Sequence, residues 1–151
     1  MAYTHTQRAP LHWLLWITAA LLVLLAAVAP ADAGWVRIML AVLAAPVVLL
    51  AFCFQTLTVS DDGDALAIRF GPLALFQRRV PYATIRTVTP ARSAWIDGWG
   101  VHWIPVRGWT WNLWGRDCVE LMTDAGRLRV GTNDRAGLAA FLEQRIGNEA
   151  A

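Results

Sequence analysis

Apolar residues fill the first third of the chain in two long, uncharged segments. Residues 11–29 and residues 38–54 contain no Asp, Glu, Lys or Arg. A transmembrane helix needs about 20 such residues to cross about 30 Å of hydrocarbon. Pro30 ends the first segment, because proline lacks a backbone N–H and disfavours helix in the residue before it. The pattern predicts an N-terminal tail and an α-helical membrane hairpin over residues 1–54, with a turn at 30–34.

Two other interpretations of these segments stay open. Both segments would also suit a buried helical hairpin in a soluble protein, although two uncharged runs of this length favour the membrane. The first segment would also suit a cleaved signal peptide, with Arg8 ahead of the apolar run and residues 31–33 as a small-residue cleavage site. The run is longer than the about 7–15 residues usual for a signal-peptide core, which favours a retained helix.

Charges near the two segments predict the orientation of the chain. Arg8 precedes the first segment, Arg37 and Asp32 nearly cancel in the turn, and several arginines follow the second segment. The positive-inside bias then predicts a multi-pass protein of the cell inner membrane with its N-terminus and C-terminal domain in the cytoplasm. Small residues let helices approach closely, so the alanines of the first segment also permit homo-oligomers through the transmembrane helices.

From residue 55 onward, the hydrophobic pattern changes to the period of two that is typical of half-buried strands. The predicted strands cover residues 57–59, 65–70, 73–80, 82–92, 117–122 and 127–131. The stretch 94–115 carries several glycines and a proline, so we predict an irregular tract there. The last strand pair, joined by a turn at residues 124–126, is the clearest predicted hairpin.

One amphipathic helix is predicted at the C-terminus. Its apolar stripe at helical spacing is Leu138, Phe141, Leu142 and Ile146. Thr132, Asn133 or Asp134 is the candidate N-cap, and Gly147 is the candidate stop. Residues 55–151 are therefore predicted to form an α+β domain, a small antiparallel β-barrel or curled sheet closed by the C-terminal helix.

Composition narrows the function mainly by exclusion. The formal net charge of +2 is too small to favour nucleic acid as a partner. Cys53 and Cys118 are predicted to be reduced, packed thiols, because two such cysteines do not make a disulfide framework. The sequence has no metal-ligand spacing of Cys and His, no phosphate-binding loop and no nucleophile motif, so no metal, cofactor or catalytic residue is predicted.

Tryptophans are concentrated between residues 95 and 114, where glycines permit tight turns. Trp109 and Trp111 share one face of a predicted strand and are expected to fill the core. The candidate interaction surface consists of Trp95, Trp99, Trp103, Arg92, Arg107 and Trp114. Trp favours the head-group layer of a membrane and Arg attracts anionic groups, so this surface suits a lipid bilayer or a protein partner.

The layout of strands, glycines and tryptophans resembles the pleckstrin-homology-like (PH-like) domains of small bacterial membrane proteins. The resemblance spans residues 57–146 and is carried by residues 98–103, 108–112, 119–121 and 129–132. It implies a barrel-like sheet closed by a C-terminal helix, behind one or two transmembrane segments, and it implies no catalytic residue. Lipid-binding members of the superfamily place Lys and Arg at the first hairpin turn, whereas this chain has Asp61, Asp62 and Asp64, which would repel phosphate.

Together these features predict an integral membrane protein whose cytoplasmic domain is a non-enzymatic protein-interaction or scaffold module. The alternative is a lipid head-group sensing or membrane-apposing domain that uses the same surface. A membrane-bound enzyme is the third hypothesis, and it would require Asp97 and His102 to act together, with Asp117 and Glu120 as the other candidate groups. The predicted partners are the lipid bilayer and an unidentified membrane protein.

Overall fold

A computed structural model describes residues 2–10, 12–94 and 98–149 of the protein. The elements in chain order are β1 (Thr4–Arg8), α1 (His12–Val28), α2 (Gly34–Cys53), β2 (Thr56–Asp61), β3 (Ala65–Phe70), β4 (Gln77–Pro81), a 3-10 turn (Tyr82–Thr84), β5 (Ile85–Arg92), β6 (Gly100–Ile104), β7 (Gly108–Asn112), β8 (Asp117–Thr123), β9 (Gly126–Gly131) and α3 (Arg135–Glu149). The described part of the chain is therefore α+β, with one helix at the C-terminal end, as predicted.

The first sheet has four antiparallel strands in the order β1-β2-β3-β4. The hydrophobic pattern does not predict β1, because its five residues, Thr-His-Thr-Gln-Arg, are all polar. The register of β1 against β2 runs from Thr4 opposite Ser60 to Arg8 opposite Thr56. Consequently α1 and α2 form an insertion between two neighbouring, hydrogen-bonded strands.

The second sheet has five strands in the order β5-β8-β9-β7-β6. Its β7 and β9 are parallel, so the expectation of a wholly antiparallel sheet is wrong at this pair. The irregular tract predicted at 94–115 contains β6 and β7, which form an antiparallel hairpin. The prediction of an irregular tract is wrong here because Gly100 and Gly108 stand at the first position of these strands and do not interrupt them.

Both sheets and α3 share one hydrophobic core, and together they are named the β domain. The largest fully buried side chains include Phe70, Ile68, Leu121, Val130 and Leu142, which come from both sheets and the helix. The sheets remain separate in the described residues, since no strand of one is hydrogen-bonded to a strand of the other. The barrel closure that the PH-like resemblance implies is therefore not found.

Helix α3 begins where the sequence predicts it. The carboxylate of Asp134 accepts a hydrogen bond from the backbone N–H of Gly137 at 3.1 Å, which is the geometry of an N-cap. All four residues of the predicted stripe pack in or against the core: Leu138, Phe141, Leu142 and Ile146. Gly147 is not the stop, because the helix runs on to Glu149. A glycine inside a helix costs only about 1 kcal/mol, which the packed stripe offsets.

Helices α1 and α2 pack on each other and expose apolar side chains over much of their surface. Trp16 of α1 meets Phe52 of α2 edge to face, with ring centroids 4.9 Å apart. The large apolar residues of these two helices that are more than 60% exposed are Trp13, Ile17, Val28, Trp35, Ile38 and Val42. In the described residues, only α2, with 20 residues, is long and apolar enough to cross a membrane by length and composition, whereas α1 is apolar but shorter.

Candidate interaction surface

The β6–β7 hairpin carries two exposed tryptophans opposite each other. Trp103 on β6 stands in register with Trp109 on β7, and their side chains are 57% and 40% exposed. Val106, in the turn between the strands, is 94% exposed. Because β6 is an edge strand, no other described strand pairs with its outer side. We name Trp103, Val106 and Trp109 the tip patch.

A close backbone approach at the start of β7 holds the tip patch in place. Gly108 has φ +81°, and a Cβ there would overlap the carbonyl group of Arg127, with its carbon 2.9 Å away. Glycine permits this approach, which sets Trp109 opposite Leu128 in the parallel pair. Val106 also has a positive φ, +68°, which is rare for a β-branched residue and marks a strained turn.

A second aromatic pair lies beside the helices. The rings of Trp99 and Trp114 stack with centroids 4.6 Å apart. The indole N–H of Trp99 donates to the carbonyl oxygen of Gly115 at 3.2 Å. Trp99 also lines an apolar cavity of about 320 Å³ together with His12 of α1 and Leu50 of α2. We name Trp99 and Trp114 the base stack, since it lies where the helices join the β domain.

The two arginines of the predicted surface lie in different places. At the end of β5, Arg92 forms an ion pair with Asp117 at 3.2 Å, and Asp117 is also 3.4 Å from a guanidinium nitrogen of Arg135. Arg107 lies in the β6–β7 turn, where its backbone N–H donates to the carbonyl of Ile104 at 3.1 Å. Arg107 therefore adjoins the tip patch, whereas Arg92 belongs to a separate ion-paired cluster.

The structure thus divides the predicted surface into the base stack, the tip patch with Arg107 beside it, and the separate ion-paired cluster of Arg92, and Trp95 lies outside the described residues. Val106 is not part of the surface that the sequence predicts, whereas Trp109 is predicted in the core. Trp111 is in the core, 7% exposed, with its ring 5.9 Å from that of Phe70. Trp109 stands two residues nearer the turn, and there its ring is partly exposed to solvent.

Of the polar groups considered for catalysis, the structure describes His102, Asp117 and Glu120. Glu120 accepts a hydrogen bond from Arg129 at 2.9 Å. His102 lies half-buried on the edge strand β6, and Asp97 lies outside the described residues. No group of three or more His, Cys, Asp or Glu side chains in the described part could hold a metal ion.

Arginines compensate the three aspartates of the first hairpin turn. The side chain of Asp61 is 5% exposed and pairs with Arg145 of α3, and the hydroxyl of Tyr82 donates to it at 2.9 Å. Burial alone would raise the pKa of Asp61, but the hydrogen bonds from Arg145 and Tyr82 and the charge of Arg145 lower it below the usual value. Arg79 bridges the other two aspartates at 3.0 and 3.1 Å. The turn is therefore less repulsive to anions than three free carboxylates would be.

Comparison with protein-family models, with curated proteins and with solved structures finds no match to this chain. The PH-like resemblance accordingly stays a prediction from the sequence pattern.

Proposed function

We propose that the chain is an integral membrane protein whose β domain is a non-enzymatic protein-interaction module of the PH-like kind, held at the cytoplasmic face of the membrane. The observation that carries this proposal is the position of the apolar hairpin. It is inserted between two paired strands of a domain that presents an exposed aromatic surface.

The strand pairing supports two membrane crossings. Arg8, just before α1, stands opposite Thr56, just after α2, so the chain enters and leaves the hairpin at neighbouring points. Both ends of the hairpin must then lie on the same side of the bilayer. If α2 crosses the membrane, α1 has to cross it as well, because a single crossing would pull β1 and β2 apart.

The dimensions of the helices suit this arrangement. At 1.5 Å per residue, α1 with 17 residues is about 25 Å long, and α2 with 20 residues is about 30 Å long. Both lengths fall in the range of about 17–25 residues found for transmembrane helices. At the far turn of the hairpin, Arg37 donates through Nε to the carbonyl of Ala29 at 3.2 Å, and Trp35 is 70% exposed. Such residues are typical of a membrane–water interface.

The same pairing disfavours cleavage of the first segment as a signal peptide. Cleavage at residues 31–33 would remove β1 together with α1. Strand β2 would then become an unpaired edge, and the buried Gln7 would no longer donate to the carbonyl of Trp114 at 2.7 Å. An exposed edge of this kind favours aggregation. We therefore propose that α1 is retained in the mature protein.

The tip patch supports a protein partner. Tryptophan is enriched among the residues that contribute most to binding at protein interfaces. Here two tryptophans and a valine, with Arg107 beside them, lie together on an edge hairpin, at the opposite end of β6 from Gly100 near the helices. An edge strand also offers unpaired backbone groups to an incoming strand. The tip patch therefore offers apolar side chains that a partner can bury, next to an edge strand with which a partner's strand can pair.

The first test concerns topology. In membranes of cells that express the full-length protein, we expect tags at both termini to be accessible from the cytoplasmic side only, and the protein to resist extraction by alkaline carbonate. A cysteine replacing Asp32, in the turn between the helices, should be labelled only from the opposite side. Tags on opposite sides, or release by carbonate, would contradict the proposal.

The second test concerns the tip patch. A photo-crosslinking amino acid at Val106 in the full-length protein should give a discrete protein adduct in intact membranes. Replacing Trp103 or Trp109 with alanine should weaken that interaction by about 2 kcal/mol, which is about 30-fold in Kd. The same crosslinker at the exposed Asp64 serves as the matched control and should not give this adduct.

A membrane-apposing domain is the second candidate function, and the base stack favours it. Trp99 lines an apolar cavity with residues of both helices, so this ring lies near the depth at which the helices leave the bilayer. Tryptophan prefers that interfacial layer. Lipid adducts from a photo-crosslinking amino acid at position 99, without a protein adduct from position 106, would favour this function over the protein-interaction module.

A further inference from the structure

The segment between β3 and β4 differs from its prediction and exposes unusual side chains. The sequence pattern predicts a strand over residues 73–80, but β4 begins only at Gln77. In the loop that precedes it, three large apolar side chains are exposed: Leu73 at 53%, Leu75 at 58% and Phe76 at 37%. Ala74 between the leucines has φ +48°, a conformation that non-glycine residues adopt rarely.

This loop is fixed beside the end of α2. The backbone N–H of Gly71 donates to the carbonyl of Thr56 at 2.8 Å. A Cβ on Gly71 would lie only 2.7 Å from the carbonyl oxygen of Cys53, the last residue of α2. At the other end of the loop, the ring of Phe76 lies 5.7 Å from that of Phe54. Contacts at both ends therefore keep the loop near the point where α2 enters the β domain.

The composition of the loop suits the boundary of a bilayer. Residues 71–76 carry no charge, and Arg78 and Arg79 follow after Gln77. Arg79 is paired with Asp62 and Asp64, which leaves Arg78 for a lipid phosphate. Apolar side chains next to arginines are typical of segments that lie in the interfacial layer, where the apolar groups reach the acyl region and the guanidinium groups stay near lipid phosphates. In a loop surrounded by water, two leucines and a phenylalanine within four residues would leave apolar surface exposed without any stabilising burial.

We propose that Leu73, Leu75 and Phe76 insert into the membrane interface beside α2, forming an additional contact of the β domain with bilayer lipid. The inference rests on the proposed membrane position of α1 and α2. The exposed apolar surface of the helices and that of the loop then form one continuous lipid-facing region. A third attachment point of this kind restricts rotation of the β domain about the helices and fixes the direction in which the tip patch faces.

The test uses the full-length protein with Leu75 replaced by cysteine and labelled with an environment-sensitive fluorophore. Cys53 and Cys118 are buried, reduced thiols, as the sequence predicts, so labelling is directed to the new thiol. In vesicles of phosphatidylcholine and phosphatidylglycerol, we expect blue-shifted emission, quenching by lipids with a shallow spin label, and several-fold weaker quenching by aqueous iodide than at the control position. The control is Val106→Cys, a fully exposed apolar site at the far end of β6.

Water-like emission at position 75 and iodide quenching equal to that at position 106, in protein that resists carbonate extraction, would overturn the loop proposal and leave the transmembrane proposal standing. Release by carbonate would overturn both proposals. Shielding that depends on the protein-to-lipid ratio, without quenching by spin-labelled lipid, would mean that a second copy covers the loop and would also overturn the proposal. Adding Leu73→Asp should expose the probe at position 75 while leaving the near-UV circular dichroism unchanged.

Discussion

Replacing Gly71 with alanine is expected to lower the free energy of unfolding of the β domain by about 3 kcal/mol. Gly71 has φ +62°, and the added methyl group would overlap the carbonyl oxygen of Phe52 and approach the Cα of Cys53 to 2.9 Å. These are backbone atoms at the end of α2 and cannot rotate away. The substitution therefore forces the first sheet and the end of the helix apart. Thermal unfolding in detergent, followed by tryptophan fluorescence, measures the effect.

Gly63→Ala provides the matched control for this prediction. Gly63 also has a positive φ, +77°, but no heavy atom lies within 4 Å of its added Cβ. In this control, the free energy of unfolding should fall by only about 1 kcal/mol, which is the cost of placing alanine in a left-handed backbone conformation. The difference in unfolding free energy between the two variants then measures the steric contact of residue 71 with α2. Equal losses at the two glycines would mean that the end of α2 does not pack on the sheet as the structure describes.

The features that the sequence predicts well depend on local physical signals. Uncharged length identifies both helices of the hairpin, and a stripe at helical spacing with a capping Asp134 identifies α3. The β8–β9 hairpin follows from alternation and a glycine turn. Strand β1 has no such signal, because all its residues are polar and it is recruited only by pairing with β2, about fifty residues later in the chain.

The candidate surface is predictable in composition but not in arrangement. The concentration of tryptophans is visible in the sequence, yet the exposure of each ring depends on which strands become neighbours. Strand β7 lies between β9 and β6, and its pairing with β9 is parallel. Alternation along one strand gives Trp109 and Trp111 the same face, but it cannot say where the core ends. The core ends between these two rings, so one is buried and the other is half exposed.

The loop at residues 71–76 illustrates a second limit of pattern reasoning. Apolar residues at alternate positions, here Leu73 and Leu75, indicate a strand when the buried surface lies inside the protein. The same side chains serve equally well when the apolar surface is a bilayer, and the sequence does not distinguish the two. The position of the loop beside Phe54, directly after the end of α2, supports the proposed contact with the bilayer.

The second large effect is expected at the ion pair that joins α3 to the first sheet. Replacing Asp61 with asparagine should lower the free energy of unfolding at pH 7 by about 2–3 kcal/mol. Asparagine retains an oxygen to accept the hydrogen bond from Tyr82, but it removes the charge that pairs with Arg145. Arg145 also lies over the ring of Tyr82 at 5.5 Å, so its position depends on the same cluster. Denaturant unfolding of both forms in detergent gives the difference.

The pH dependence of this difference tests its electrostatic origin. The pKa of folded Asp61 lies below the unfolded value of about 3.9, so the contribution of the carboxylate is complete above that value and is lost as the pH falls through the folded-state pKa. We therefore expect the two forms to differ by a constant amount from pH 7 to about pH 5, and to converge in stronger acid. Asp64→Asn is the control, because Asp64 is 83% exposed and its pair with Arg79 should contribute less than about 1 kcal/mol. A difference at Asp61 that persists unchanged in strong acid would show that lost packing, not lost charge, destabilises the variant.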